Sequence, residues 1–250
     1  FLFVATGVSM NPFVVCAEDQ HDEEASTRLE NMEDAPQCWK YSLNTLDERI
    51  EWCEDARFGL FMLWGPYSVL AGEYKEDTYA GRYAEHIARF SKIPKQDYVE
   101  HAAGIFHPEK FDAEQWALLA KNAGMRYLVI TAKHHDGFAT YHSKFSEFDF
   151  EDTAHWDRDP LMELTKACKK HGLHFGVYYS HVQDWYEKYN VVNNWELEHP
   201  DRHAGKWYEK SEWKDYLEKV RTEYVYRKAI PQIKELINDY GVEVFYFDTP

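Results

Sequence analysis

Residues 127–138 read Tyr-Leu-Val-Ile-Thr-Ala-Lys-His-His-Asp-Gly-Phe. Val129, Ile130 and Thr131 make an apolar, β-branched run with the length of a buried parallel strand. The run delivers Lys133, His134, His135 and Asp136 together and then turns at Gly137. Titratable side chains gathered at the carboxyl end of a buried strand are where α/β enzymes keep their chemistry. Neighbours on a strand face opposite ways, so both His rings reach one pocket only if the strand ends beside them. Gly137 permits that ending.

The surrounding sequence repeats one pattern. Asp112 with Gln115 three residues on is a capping box, and Trp116, Leu119, Ala120 and Ala123 mark one helix face closed by Gly124. The strand Tyr127–Thr131 follows. Asp159-Pro160 starts a second helix with Leu161, Leu164 and Cys168 on one side, Gly172 ends it, and residues 174–180 form the next strand. Ile230, Ile233, Ile237 and Tyr240 mark a third helix, entered at or kinked by Pro231, before the strand Val242–Asp248. Upstream, Leu46–Ala56 reads as a helix and the run from Arg57 as a strand stopped by Gly65-Pro66.

Strands separated by helices imply a parallel sheet with right-handed crossovers, either a TIM-like (β/α)8 barrel or a doubly wound sheet. Titratable residues close several strands rather than one switch point, which favours the barrel. About four β/α units would leave raw sheet edges, so the sequence reads as the first half of a barrel, a fragment spanning residues 46–250.

The N-terminal residues 1–17 are mostly apolar and precede an acidic stretch. They read as a partial signal peptide with Val15-x-Ala17 at the cleavage point, which implies a secreted, periplasmic or lysosomal-type location. Residues 18–45 are a polar lead-in. Past Ala17, Cys38, Cys53 and Cys168 remain, an odd number that makes no complete disulfide framework. The net charge of -16 argues against nucleic acid as the main partner. No stretch of about 18 apolar residues occurs, so nothing reads as a membrane span. The 17% aromatic content suits either a large aromatic core or surfaces that stack on sugars. Oligomeric state is not legible.

Each strand end supplies candidates: Trp64 and then Glu73; His134, His135 and Asp136; Tyr178, His181 and Asp184; and Asp248. Asp248 leaves the dry run Phe245-Tyr-Phe247, and it suits a glycosidase nucleophile, a metal ligand or a helix cap ahead of Pro250. The His pair lacks metal-site spacing, and two His with a Tyr and a Trp suit a polyhydroxylated ligand better. No phosphate loop or Ser-nucleophile motif is present, and nothing calls for a cofactor. The segment from His181 to Trp213, rich in Trp and Tyr, would hang over the site as an aromatic wall or pack a small core of its own.

Several blocks then fall in the order and context of one family. Residues 57–69 (Arg-Phe-Gly-Leu-Phe-Met-Leu-Trp-Gly-Pro-Tyr-Ser-Val), Gly72-Glu-Tyr74, Thr131–Phe138, Arg158-Asp159, Phe175–Ser180 and Phe247-Asp248 resemble α-L-fucosidases of glycoside hydrolase family 29. The resemblance runs from about Trp52 to the last residue, and the Lys-His-His-Asp-Gly-Phe block is its most specific part. It implies a catalytic barrel and retaining hydrolysis of α-L-fucosides on fucosylated glycans. Asp248 matches the nucleophile; His134, His135 and Tyr178 match sugar-hydroxyl ligands; Trp64 and Glu73 match pocket positions. The acid/base carboxylate is expected beyond the nucleophile strand, so these 250 residues alone are expected to be inactive. Leu63 stands where the family usually carries His. That departure leaves room for a barrel glycosidase of another sugar, or for a non-catalytic carbohydrate-binding relative.

Overall fold

The side chains of Tyr127–Lys133 are all buried, and this strand, β2, organises the sheet. The structure is a computed structural model that describes residues 46–78, 83–189 and 211–248. The expected leader and lead-in, residues 1–45, lie outside it. Strands β1 (Gly59–Met62), β2, β3 (His174–Tyr179) and β4 (Val244–Phe247) pair in that order, every pair parallel. Each crossover therefore steps one place in the same direction, with no reversal of order among the described strands. The fold is α/β with a parallel sheet.

The helices between the strands form for local reasons. Helix α1 spans Leu46–Ala56 and precedes β1. After a short segment with helix α2 (Lys95–His101), helix α3 (Ala113–Asn122) opens at Asp112, whose carboxylate accepts from the Gln115 amide at 3.0 Å. Helix α4 (Pro160–His171) opens at Asp159, which accepts from the Met162 amide, and closes on Gly172 at φ 66°. Each such cap is worth about 1 kcal/mol. Between β3 and β4, helix α5 (Ser211–Lys219) runs into a π-helical stretch, Val220–Ala229, and on into helix α6 (Ile230–Asn238) with Pro231 in its first turn. Pro231 has no amide proton to donate back along the rod, and it falls where the π-helical stretch gives way to α6.

Two expected helix faces are rotated. In α3 the buried residues are Ala113, Ala117 and Ala120, while Leu119 is 58% exposed. In α6 they are Gln232, Glu235 and Leu236, while Ile237 is 47% exposed. Gln232 and Glu235 tolerate burial because their polar atoms are satisfied: Tyr179 donates to Gln232, which donates to Ser143, and Ser143 and the Lys144 amide donate to Glu235.

The two faces of the sheet differ. Leu60, Leu128, Ile130, Val177 and Tyr179 pack into a large core beneath the helices. The other face carries Tyr127, Val129 and Tyr178 with Phe61, and Tyr246 completes an aromatic layer, its ring 5.2 Å from Phe61 and 5.8 Å from Tyr178. Full burial of Leu128, Val129 and Ile130 contributes about 1.5–3 kcal/mol each. Among the described residues no helix is long and apolar enough to cross a membrane.

Candidate active site

β2 and β3 shift register between Thr131 and Lys133, and β2 ends there. The chain then bends through Gly137, at φ 90°, with the Gly137 amide donating to the His134 carbonyl at 3.1 Å. The bend puts both imidazoles on the same side, their ring centres 4.4 Å apart. His134 lies nearly parallel to the ring of Tyr178 at 4.9 Å. The Tyr178 hydroxyl donates to Asp248 Oδ2 at 2.6 Å, and His135 Nε2 stands 3.3 Å from that same oxygen. The structure thus brings together four expected residues from three strand ends: His134, His135, Tyr178 and Asp248.

Burial sets their electrostatics. It holds His134 well below the usual imidazole range, and the neighbouring His135 and His86 push the same way, so the ring is neutral. Its Nδ1 is buried without a hydrogen-bond partner, an open valence in the site. Burial, and then the bond to Asp248, raise the Tyr178 phenol, which therefore stays a donor. The Asp248 carboxylate keeps 36% of its surface exposed, so an incoming molecule can reach it.

His86 belongs to this group and carries no sequence signal beyond being a His in a short apolar run. It ends a short 3-10 turn, Ala84–His86, with its ring 6.0 Å from His134, 5.3 Å from His135 and 5.7 Å from Trp185. Burial pushes its pKa down to about 4, helped by His135 and Arg89. Trp185 lies 5.5 Å from the His135 ring and donates its amide to the His135 carbonyl at 2.7 Å. Tyr186 instead stacks on Phe148, and Tyr189 packs edge-on to Tyr216. Among the described residues of the aromatic segment Trp185 faces the site; Trp195, Trp207 and Tyr208 lie outside the described residues.

Other candidates are placed elsewhere. The Trp64 ring packs 5.2–6.2 Å from Phe106, Phe111, Trp116 and Phe150, inside the helix-covered core. Glu73 stands exposed on a ribbon formed by Glu73–Tyr74 and Asp77–Thr78. Leu63, next after β1, is 39% exposed. Asp136 turns inward to accept from the Tyr98 hydroxyl at 2.7 Å and the Phe138 amide at 3.1 Å, and burial raises its pKa to about 6. Among the described residues no group of three or more His, Cys, Asp or Glu side chains is arranged to hold a metal ion.

A family model described as Alpha-L-fucosidase matches residues 26–250. The chain belongs to the α-L-fucosidase family. The tissue alpha-L-fucosidase of Rattus norvegicus is 30% identical over 227 residues, covering 86% of this chain and 43% of the rat protein. The chain thus spans less than half the length of that relative. Among solved structures, the alpha-L-fucosidase of Vibrio sp. strain EJY3 superposes with a TM-score of 0.68 at 38% identity, over 81% of this chain and 32% of that one. Unliganded AlfC from Lactobacillus casei gives 0.67 at 36% identity, over 81% of this chain and 62% of its own. The parallel sheet is that of the fucosidase catalytic domain.

Proposed function

We propose that these residues form the N-terminal half of a (β/α)8 barrel whose parent protein is a retaining α-L-fucosidase, with Asp248 as nucleophile. The observation that carries the reading is the convergence of Tyr178 and His135 on one oxygen of a partly exposed Asp248. The Tyr178 bond to Oδ2 fixes the rotation of the carboxylate, as attack on an anomeric carbon requires. Attack would join a carboxylate oxygen to that carbon and expel the aglycone. Water would then break the ester and release the sugar with its configuration retained. The acid/base carboxylate is assigned to the part of the parent beyond residue 250.

His134, His135 and Tyr178 are assigned to the sugar hydroxyls. His134 offers the open Nδ1 and a ring held neutral, able to donate or accept. His86 joins the wall of the pocket. Trp64 is assigned to packing, and Glu73, out on the ribbon, stays outside the constellation. Fucosylated glycans or glycosides are the proposed substrates; AlfC has been solved in complex with Fuca(1,6)GlcNAc. A secreted or lysosomal-type location is proposed with the partial leader.

Leu63 favours a second reading, a glycosidase of this barrel with a different sugar, because an apolar side chain stands next to β1 where the resemblance leads one to expect His. The two readings share one test. Full-length protein is treated with a mechanism-based fluoro-fucoside and digested for mass spectrometry. A label on the peptide containing Asp248 is the expected result. A label on another peptide overturns the nucleophile assignment, and no labelling together with turnover of another aryl glycoside replaces fucose with that sugar.

A further inference from the structure

Beneath the His pair lies a second charged cluster that the proposed reaction does not use. Lys133 Nζ stands 3.4 Å from Asp184 Oδ2, and Lys228 Nζ stands 3.0 Å from the same oxygen and 3.2 Å from Glu187 Oε1. The side chains of Lys133, Asp184 and Lys228 are at most 1% exposed. Lys228 comes from the π-helical stretch, Lys133 from the end of β2 and Asp184 from the segment leaving β3. The cluster therefore ties three elements together at the carboxyl end of the sheet. The Glu187 amide donates to Asp184 Oδ1 at 3.2 Å, which closes the segment into a turn.

The turn leads back to His135. Lys133 Nζ also donates to the Gln183 carbonyl at 3.1 Å, and the Ser180 hydroxyl donates to the same carbonyl at 3.0 Å. A serine hydroxyl has one proton, and a carbonyl oxygen only accepts. With its proton directed at Gln183, Ser180 Oγ can meet His135 Nδ1, 2.6 Å away, only as an acceptor. The hydrogen of that short contact is therefore assigned to Nδ1 by the network around it. On the other side, Trp185, one residue past Asp184, holds the His135 carbonyl with its amide and the ring with its indole.

We propose that this dry ionic cluster is the positioning device for His135. Lys133 and Lys228 hold Asp184 and the Gln183 carbonyl in place, and Ser180 passes the constraint to the imidazole, making Nδ1 the protonated nitrogen and turning Nε2 to the pocket. In its neutral form the ring then presents a lone pair at Nε2, ready to accept from a sugar hydroxyl. Ser180, Asp184 and Lys228 act through His135 and touch no substrate.

The part concerning a sugar rests on the fucosidase reading; the tautomer does not, and the test separates them. Full-length protein labelled with 15N-histidine is studied by long-range proton–nitrogen NMR, with His135 assigned through a His135→Gln variant. The wild type is expected to show His135 protonated at Nδ1. Ser180→Ala should move it toward the Nε2-protonated form and lower kcat/KM for an aryl α-L-fucoside by up to roughly a hundredfold. Ser180→Thr, which keeps a hydroxyl, should retain the native tautomer. Lys228→Met should shift the tautomer in the same direction as Ser180→Ala. If Lys228→Met does not fold, the Ser180 pair still decides, because it leaves the ionic cluster intact. An unchanged tautomer in Ser180→Ala or in folded Lys228→Met, or an Nε2-protonated ring in the wild type, overturns the proposal. A wild type with the expected tautomer and no activity on fucosides would instead overturn the fucosidase reading alone.

Discussion

Lys133 and His134 are adjacent in sequence yet serve opposite kinds of cluster. Lys133 turns into the protein and meets Asp184 in full burial, while His134 and His135 turn toward Tyr178 and a carboxylate that solvent touches. In the inner cluster two cations and two carboxylates answer one another, and its members hold backbone segments in place. In the outer cluster the nitrogen of His134 is left over, and one carboxylate oxygen collects two neighbours. Buried charge that faces opposite charge serves as a fastening. Buried polarity that is unmatched beside an accessible carboxylate is suited to receiving a ligand.

The sharpest way to break this contrast is to remove one member of each cluster. Asp248→Asn should cut turnover of an aryl α-L-fucoside in full-length protein by on the order of a thousandfold or more. Urea unfolding should move by less than about 1 kcal/mol, because the side chain is partly exposed and an amide still accepts from Tyr178. Asp184→Ala should do the reverse in kind. It strands two buried ammonium groups and should cost about 3–5 kcal/mol in urea or thermal unfolding. A loss under 1 kcal/mol would show that Lys133 and Lys228 find other partners.

Smaller effects sharpen the outer cluster. Leu63→His should raise kcat/KM for the same fucoside roughly tenfold, the worth of one added hydrogen bond to a sugar in a closed pocket. No gain, together with good activity on another glycoside, would move the specificity away from fucose. The least effect concerns acid. His86 stays neutral in the fold down to about pH 4, whereas an unfolded chain takes up the proton near the ordinary value of 6.5. Between those values the unfolded state binds more protons. The stability that His86 governs is therefore intact above pH 6.5 and drains away as the pH falls toward 4. In His86→Gln the drop in Tm between pH 7 and pH 5 should be smaller than in the wild type; parallel curves would mean that another group governs the acid limb.

What was legible in the sequence followed from local grammar. Asp112, Asp159 and Gly172 cap their helices through contacts a few residues away, so the chain itself announces them. The end of β2 beside the His pair was readable for the same reason, since Gly137 permits the bend. The helix faces were less legible. Gln232 and Glu235 are core residues only because Ser143 and Tyr179, far away in sequence, complete their hydrogen bonds. Trp64 sat at a strand end and so looked like a pocket residue, but rings from Phe106, Phe111, Trp116 and Phe150 surround it. His86 was invisible because its partners lie just past β2 and beyond β3, and no spacing records that meeting.

Gly137 bends the chain between the two clusters with almost nothing to spare. A methyl group placed on it would stand 2.1 Å from Asp184 Oδ1, in a backbone conformation that side chains rarely adopt. That hydrogen atom is the shared clearance of the fastening and the pocket. Neither can be redesigned here alone: a larger residue would pry Asp184 loose and swing the His pair in the same motion, so a single-letter change would be felt as two faults at once.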